Sequence, residues 1–215
     1  MALGRAAYGF LATDEPALLA GGKGARILVV EGWLDEPELA QAVAAFRRGG
    51  YERIVVTGGP IESWQDLRIW RSYPERAAAY LRSHGLDGLP LATAIAPASA
   101  QDRNFLSAVV FRDWAHQAGV TLDAVDVFLA GVHARRSRLV YRMALGEGVQ
   151  VGVIAARPKD YEPGRWWATS AGAKAVIGEG LSLVWTKCCF WPALAGSHEE
   201  KWGWGRRGGD SARGK

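Results

Sequence analysis

The sequence predicts an α/β protein built on a doubly wound, mostly parallel five-stranded sheet with helices on both faces. Three observations predict it. Five short, β-branched apolar runs alternate with amphipathic runs of helix length, the pattern of successive βαβ units. The strand-like runs are nearly continuous in apolar residues, as strands buried on both faces must be. Glycines and polar residues collect just after these runs, where the loops of such sheets gather around ligands.

The first strand spans 27–31, in ARILVVEG. A helix follows over 36–48, where Leu39, Val43 and Phe46 recur at helical spacing and Gly49-Gly50 ends it. A second strand, 53–57, runs into Thr57-Gly58-Gly59-Pro60. Residues 61–73 form a longer connection carrying Trp64 and Trp70. A helix over 74–83 comes next, with proline in its first turn. A third strand near 91–96 stops before Pro97, and a helix over 102–117 is closed by Gly119. The fourth strand is 124–130, followed by a helix over 134–145 that Gly146 ends. The fifth strand is 150–155. After Trp166-Trp167, expected to clamp it to the sheet, a last helix covers 170–189. Residues 1–24 then read as an N-terminal extension and 25–195 as one domain. Residues 196–215, rich in Gly, Arg and Trp, read as a basic tail without fixed structure.

About half of the 215 residues are apolar, enough for a sizeable core. The net charge is +4, and the segment 199–215 supplies +2 of it through five basic and three acidic residues. The remainder is close to neutral, so no nucleic-acid partner is expected. Cys188 and Cys189 are adjacent, and neighbouring cysteines rarely bridge, so no disulfide is expected. No signal peptide is expected, since Gly4 and Arg5 interrupt the apolar start. The apolar stretch 175–195 is broken by Glu179 and Lys187 and reads as a docked helix, not a membrane span. A cytoplasmic or membrane-peripheral location follows.

The candidate chemistry sits at the strand ends: Glu31-Gly32-Trp33, Thr57-Gly58-Gly59 and the run GVHARRS from Gly131 to Ser137. The last begins a helix, whose free amides attract anions. Arg135 and Arg136 in a first turn oppose the helix dipole, a cost a bound anion would offset; the alternative is that they reach solvent or pair with carboxylates. His133 is a candidate general acid or base, or else a helix cap. Glu31, at the end of a buried strand, wants a cation, a metal or a donor, and with Asp35 or Asp102 could hold a hard divalent cation. Asp102 reads also as the N-cap of its helix, ahead of Arg103. The glycines suit close backbone approach to a ligand, or merely a tight turn. Dinucleotide, P-loop, serine-hydrolase and zincin motifs are all missing.

The runs ILVVEGWL, IVVTGGP, DRNFLSA and GVHARRSRLVY, in that order and spacing, resemble the ElyC/SanA/YdcF family, in a branch with an EGW turn. The resemblance covers roughly residues 27–189, and His133 with Arg136 is its most specific part. It implies a Rossmann-like domain, a bacterial source and a role in envelope or cell-wall biogenesis. It also implies a nucleotide-like ligand such as S-adenosylmethionine, to which the arginines and glycine turns add a phosphorylated ligand as the local reading. The implied site is Glu31, Gly32, Thr57, Gly58, Gly59, Asp102, Arg103, His133 and Arg136, to which the local reading adds Arg135 and Ser137. The expected reaction is catalysis on a phosphate- or pyrophosphate-bearing substrate by His133 and Glu31. The alternative is a non-catalytic nucleotide-binding module. The chain departs from the pattern at Asn104, where the family leads one to expect a threonine hydroxyl.

Overall fold

The computed structural model describes residues 2–61, 69–98 and 103–202. Its sheet holds β1 (Ile27–Glu31), β2 (Arg53–Gly58), β3 (Leu91–Ile95), β4 (Ala124–Ala130) and β5 (Gln150–Ala156). The order is β3-β2-β1-β4-β5 and every pairing of these strands is parallel. The helices are α1 (Ala2–Leu11), α2 (Glu36–Gly49), α3 (Tyr73–Leu81), α4 (Arg103–Gln117), α5 (Ala134–Leu145), α6 (Ser170–Cys188) and α7 (His198–Trp202). The sheet is doubly wound and Rossmann-like, as the alternating pattern predicts.

Strand periodicity sorts the helices onto the two faces. Leu28, Val30, Ile54, Val56 and Phe128 form one buried cluster with residues of α2 and α3. Their strand neighbours Val29, Val55, Val127 and Val153 form another with residues of α4 and α5. Glu31 and Thr57 share the parity of Val29 and Val55, and the two are paired in register. Both residues therefore stand on the α4/α5 side of the sheet, at the carboxyl ends of the strands. Thr57 confirms this side, with its hydroxyl 3.2 Å from that of Tyr141 on α5.

The N-terminal extension is built into the domain. Glu15 and Val153 exchange backbone hydrogen bonds of 2.9 Å, an isolated antiparallel bridge at the middle of the outer edge of β5. Beside this strap the buried carboxylate of Asp126 accepts from the Ala17 amide and the Tyr51 hydroxyl, both at 2.6 Å. Further up, α1 packs on a 3-10 turn, Pro163–Ala168, where Trp166 donates from its indole nitrogen to the Gly4 carbonyl at 2.7 Å. Trp166 and Trp167 thus hold α1, besides meeting the start of α6.

Two expectations need correction. From residue 196 the sequence reading has a structureless tail, yet 196–202 is ordered against α4. Glu200 accepts two hydrogen bonds from Arg112, at 2.7 and 2.8 Å, and Lys201 pairs with Asp113 at 2.7 Å. Carboxylate and guanidinium meet side by side, a geometry composition alone does not reveal; residues 203–215 lie outside the described residues. Cys188 and Cys189, expected to remain apart, are disulfide-bonded. The backbone leaves helical geometry at Cys189 (φ −135°, ψ −8°), which lets adjacent side chains turn toward each other.

Candidate functional site

The strand order reverses between β1 and β4, and in open α/β sheets this switch point opens a crevice. Here the crevice is a cleft of about 1160 Å³. β1 ends in it with Glu31, β2 with Gly58 and Gly59, and β4 leads through a 3-10 turn, Gly131–His133, into α5. The starts of α4 and α5 bring Arg103, Asn104, His133 and Arg136 to its wall, and α6 closes one flank with Leu181 and Trp185.

Glu31 is 3 % exposed. Burial pushes its carboxyl up to about 7, against the pull of His133, Arg136 and a hydrogen bond from Trp33. It therefore changes protonation near neutral pH. His133 places Nδ1 2.8 Å from the Glu179 carboxylate on α6, and the edge of Trp33 meets its ring at 5.4 Å. Arg136, one helical turn on, donates Nε and Nη2 to the same carboxylate. Burial opposes charge on Glu179, but these hydrogen bonds outweigh it and hold its carboxyl below the usual range.

Glu179 is the site residue that sequence reading missed. It looks like a blemish in the apolar run AVIGEGLSL, read only as breaking a membrane span. The signal was its cost: a carboxylate in an apolar helix face is retained where cations wait for it. Asn104 was noted only as a departure. Its amide donates to Ser137 at 2.7 Å, and its Oδ1 is buried without a partner among the described residues, on the cleft wall.

The other candidates divide as follows. Glu31, Gly58, Gly59, Arg103, His133 and Arg136 all line the cleft. Gly58 has φ +149°, a conformation that excludes side chains, and a Cβ there would press on Pro74 at 3.3 Å. Gly32 does not line the cleft; a Cβ on it would fall 2.8 Å from the Pro74 nitrogen, so its lack of a side chain serves packing against α3. Arg76 of α3 secures this turn by donating to the carbonyls of Gly32 and Leu34, at 3.2 and 2.6 Å. Thr57 and Ser137 are buried behind the wall, bonded to Tyr141 and Asn104.

Arg135, expected to bind an anion, does not line the cleft. Its guanidinium donates to the Phe10 carbonyl of α1 and lies 4.1 Å from the Phe10 ring centroid. Helical geometry decides this: residue 136 shares the face of 133, whereas 135 is turned about 100° from it. Asp102 and Trp64 lie outside the described residues. Of the carboxylates proposed for a cation with Glu31, Asp35 pairs with Lys159 at 2.6 Å. Among the described residues no group of three or more His, Cys, Asp or Glu is arranged to hold a metal ion. No helix of the described residues is long and apolar enough to cross a membrane.

The arrangement provides a proton donor or acceptor in Glu31, an oriented imidazole in His133, and guanidinium groups in Arg103 and Arg136. No protein-family model matches the chain, and neither a curated protein nor a solved structure matches it.

Proposed function

We propose that this protein is an enzyme acting on a small substrate that carries a phosphate or pyrophosphate group, with His133 and Glu31 transferring protons. One observation carries the reading. A buried carboxyl that titrates near pH 7 shares a cleft wall with a histidine whose Nδ1 is held by a second carboxylate. With Nδ1 engaged by Glu179, Nε2 is the nitrogen left for a substrate or an attacking water. Glu31 is the complementary acid, able to lend its proton to a departing oxygen. Arg103 and Arg136 on the cleft wall supply the field in which negative charge develops. The resemblance in the EGW and HARRS elements supports an envelope precursor as the source of the substrate.

The test is turnover of p-nitrophenyl phosphate, inorganic pyrophosphate and nucleoside diphosphates, followed by 31P NMR. The expected result is hydrolysis by the wild type, falling about 100-fold or more in His133→Ala and in Glu31→Gln. Retention of one of these compounds without turnover overturns the catalytic reading and leaves a nucleotide- or S-adenosylmethionine-binding module.

A further inference from the structure

The charged residues of the cleft, Glu31, Arg103, His133 and Arg136, come from the strand ends and helix starts. Phe105, Leu181, Trp185 and Phe190 line it towards α6, where Ser182 and Thr186 spend their hydroxyl hydrogens on carbonyls of their own helix. These apolar walls are braced by one another: Phe190 meets Phe105 at 5.3 Å and Trp185 at 5.6 Å between ring centroids. The apolar surface does not stop at the mouth. Ile177, Leu181, Val184 and Trp185 recur at helical spacing on α6 and are 57 %, 68 %, 62 % and 49 % exposed. Scattered exposed apolar residues are ordinary, but a stripe continuous with a cleft marks a binding surface.

We infer that the substrate is an amphiphile: a phosphate or pyrophosphate head seated between Glu31, His133 and Arg136, esterified to an aliphatic chain that lies against Leu181 and Trp185 and leaves along α6. This rests on the phosphate reading of those charged residues. The stripe from Ile177 to Trp185 runs about 12 Å along the helix axis, the reach of a medium-length alkyl chain. A nucleobase fits this surface less well. It needs donors and acceptors for its edges, and the stripe is made of aliphatic side chains and one indole. A chain needs only apolar area, which the stripe offers in a continuous track.

The experiment is calorimetric titration of the full chain with methyl phosphate, octyl phosphate below its micelle concentration, and adenosine monophosphate. Wild type is expected to bind octyl phosphate at least about tenfold more tightly than methyl phosphate. In L181S/W185S the octyl-to-methyl affinity ratio is expected to fall to near one. Leu181 is largely and Trp185 half exposed, and neither belongs to the buried clusters of the domain. Equal affinity for the two alkyl phosphates in wild type, a ratio unchanged in the variant, or tighter binding of adenosine monophosphate overturns the inference while the phosphate reading stands. Failure of all three compounds to bind overturns both.

Discussion

Glu31 concentrates the unusual physics of this protein in one side chain. Its carboxyl is pushed up to about 7 by burial, above the unfolded value near 4.5. A raised carboxyl pKa means that the folded state holds the proton more tightly than the unfolded chain. Its contribution to stability is complete below about pH 4.5 and lost as pH rises through 7. Glu31→Gln removes this dependence. Relative to wild type, the variant should gain on the order of 3 kcal/mol between pH 4.5 and pH 8.5. Urea unfolding at the two pH values checks it, and an equal difference at both would show that Glu31 is not buried as a proton-binding group. Glu179 makes the opposite prediction. It satisfies Arg136 and His133 together, so Glu179→Gln should cost about 3 kcal/mol by leaving Arg136 unpaired at a partly buried position. Combined with Arg136→Met, the loss should be smaller than the sum of the two by 1 kcal/mol or more, and an additive double-mutant cycle would deny the pair any coupling.

At the scale of elements, the site depends on α6, which follows the last strand, and on α3, the crossover helix between β2 and β3. α6 contributes Trp185 to the cleft wall and Glu179 to hold His133 and Arg136, and α3 pins the EGW turn through Arg76. α7 anchors the chain after α6 through Glu200, which holds Arg112 with two hydrogen bonds and also accepts from the Gly196 amide at 2.7 Å. Burial opposes charge on Glu200, and Arg112 with the Gly196 amide holds its carboxyl below the ordinary range. Glu200→Gln is expected to cost about 1–2 kcal/mol. Faster amide exchange over 196–202 should accompany it, measured by mass spectrometry, with α4 unaffected. Wild-type exchange rates across 196–202 in the variant would show that Glu200 does not secure this segment.

At the scale of the molecule, the N-terminal strap crosses the outer edge of β5 and bonds to it at Val153. Glu15 supplies the backbone partner of Val153, and Ala17 supplies a donor to buried Asp126. Burial raises the Asp126 carboxyl, and the hydrogen bonds from Tyr51 and Ala17 offset part of that cost. Removing residues 2–24 should therefore bare a strand edge and leave Asp126 one donor short. The expected outcome is self-association in size-exclusion chromatography and a loss of about 2 kcal/mol or more in urea unfolding. A monodisperse, equally stable protein would mean that the strap is dispensable.

Much of this architecture was legible because local chemistry determines it. The run ILVV, short, β-branched and continuously apolar, suits a strand buried on both faces, and the recurrence of Leu39, Val43 and Phe46 suits an amphipathic helix. The chain ends of those strands then place Glu31, Gly58 and His133 on one rim without further information. Which side chains complete the cleft was decided in three dimensions. Glu179 lies 46 residues beyond His133, and no spacing rule joins them; only the docking of α6 against α5 brings their charges together. Arg135 and Arg136 are neighbours in sequence, yet one points to α1 and the other to Glu179, because 100° of helical rotation separates them. Residue identity and periodicity thus determined the sheet and the edge where its strands end, while the packing of distant helices decided which charges meet there, since pairing energies depend on separations that only the folded chain sets.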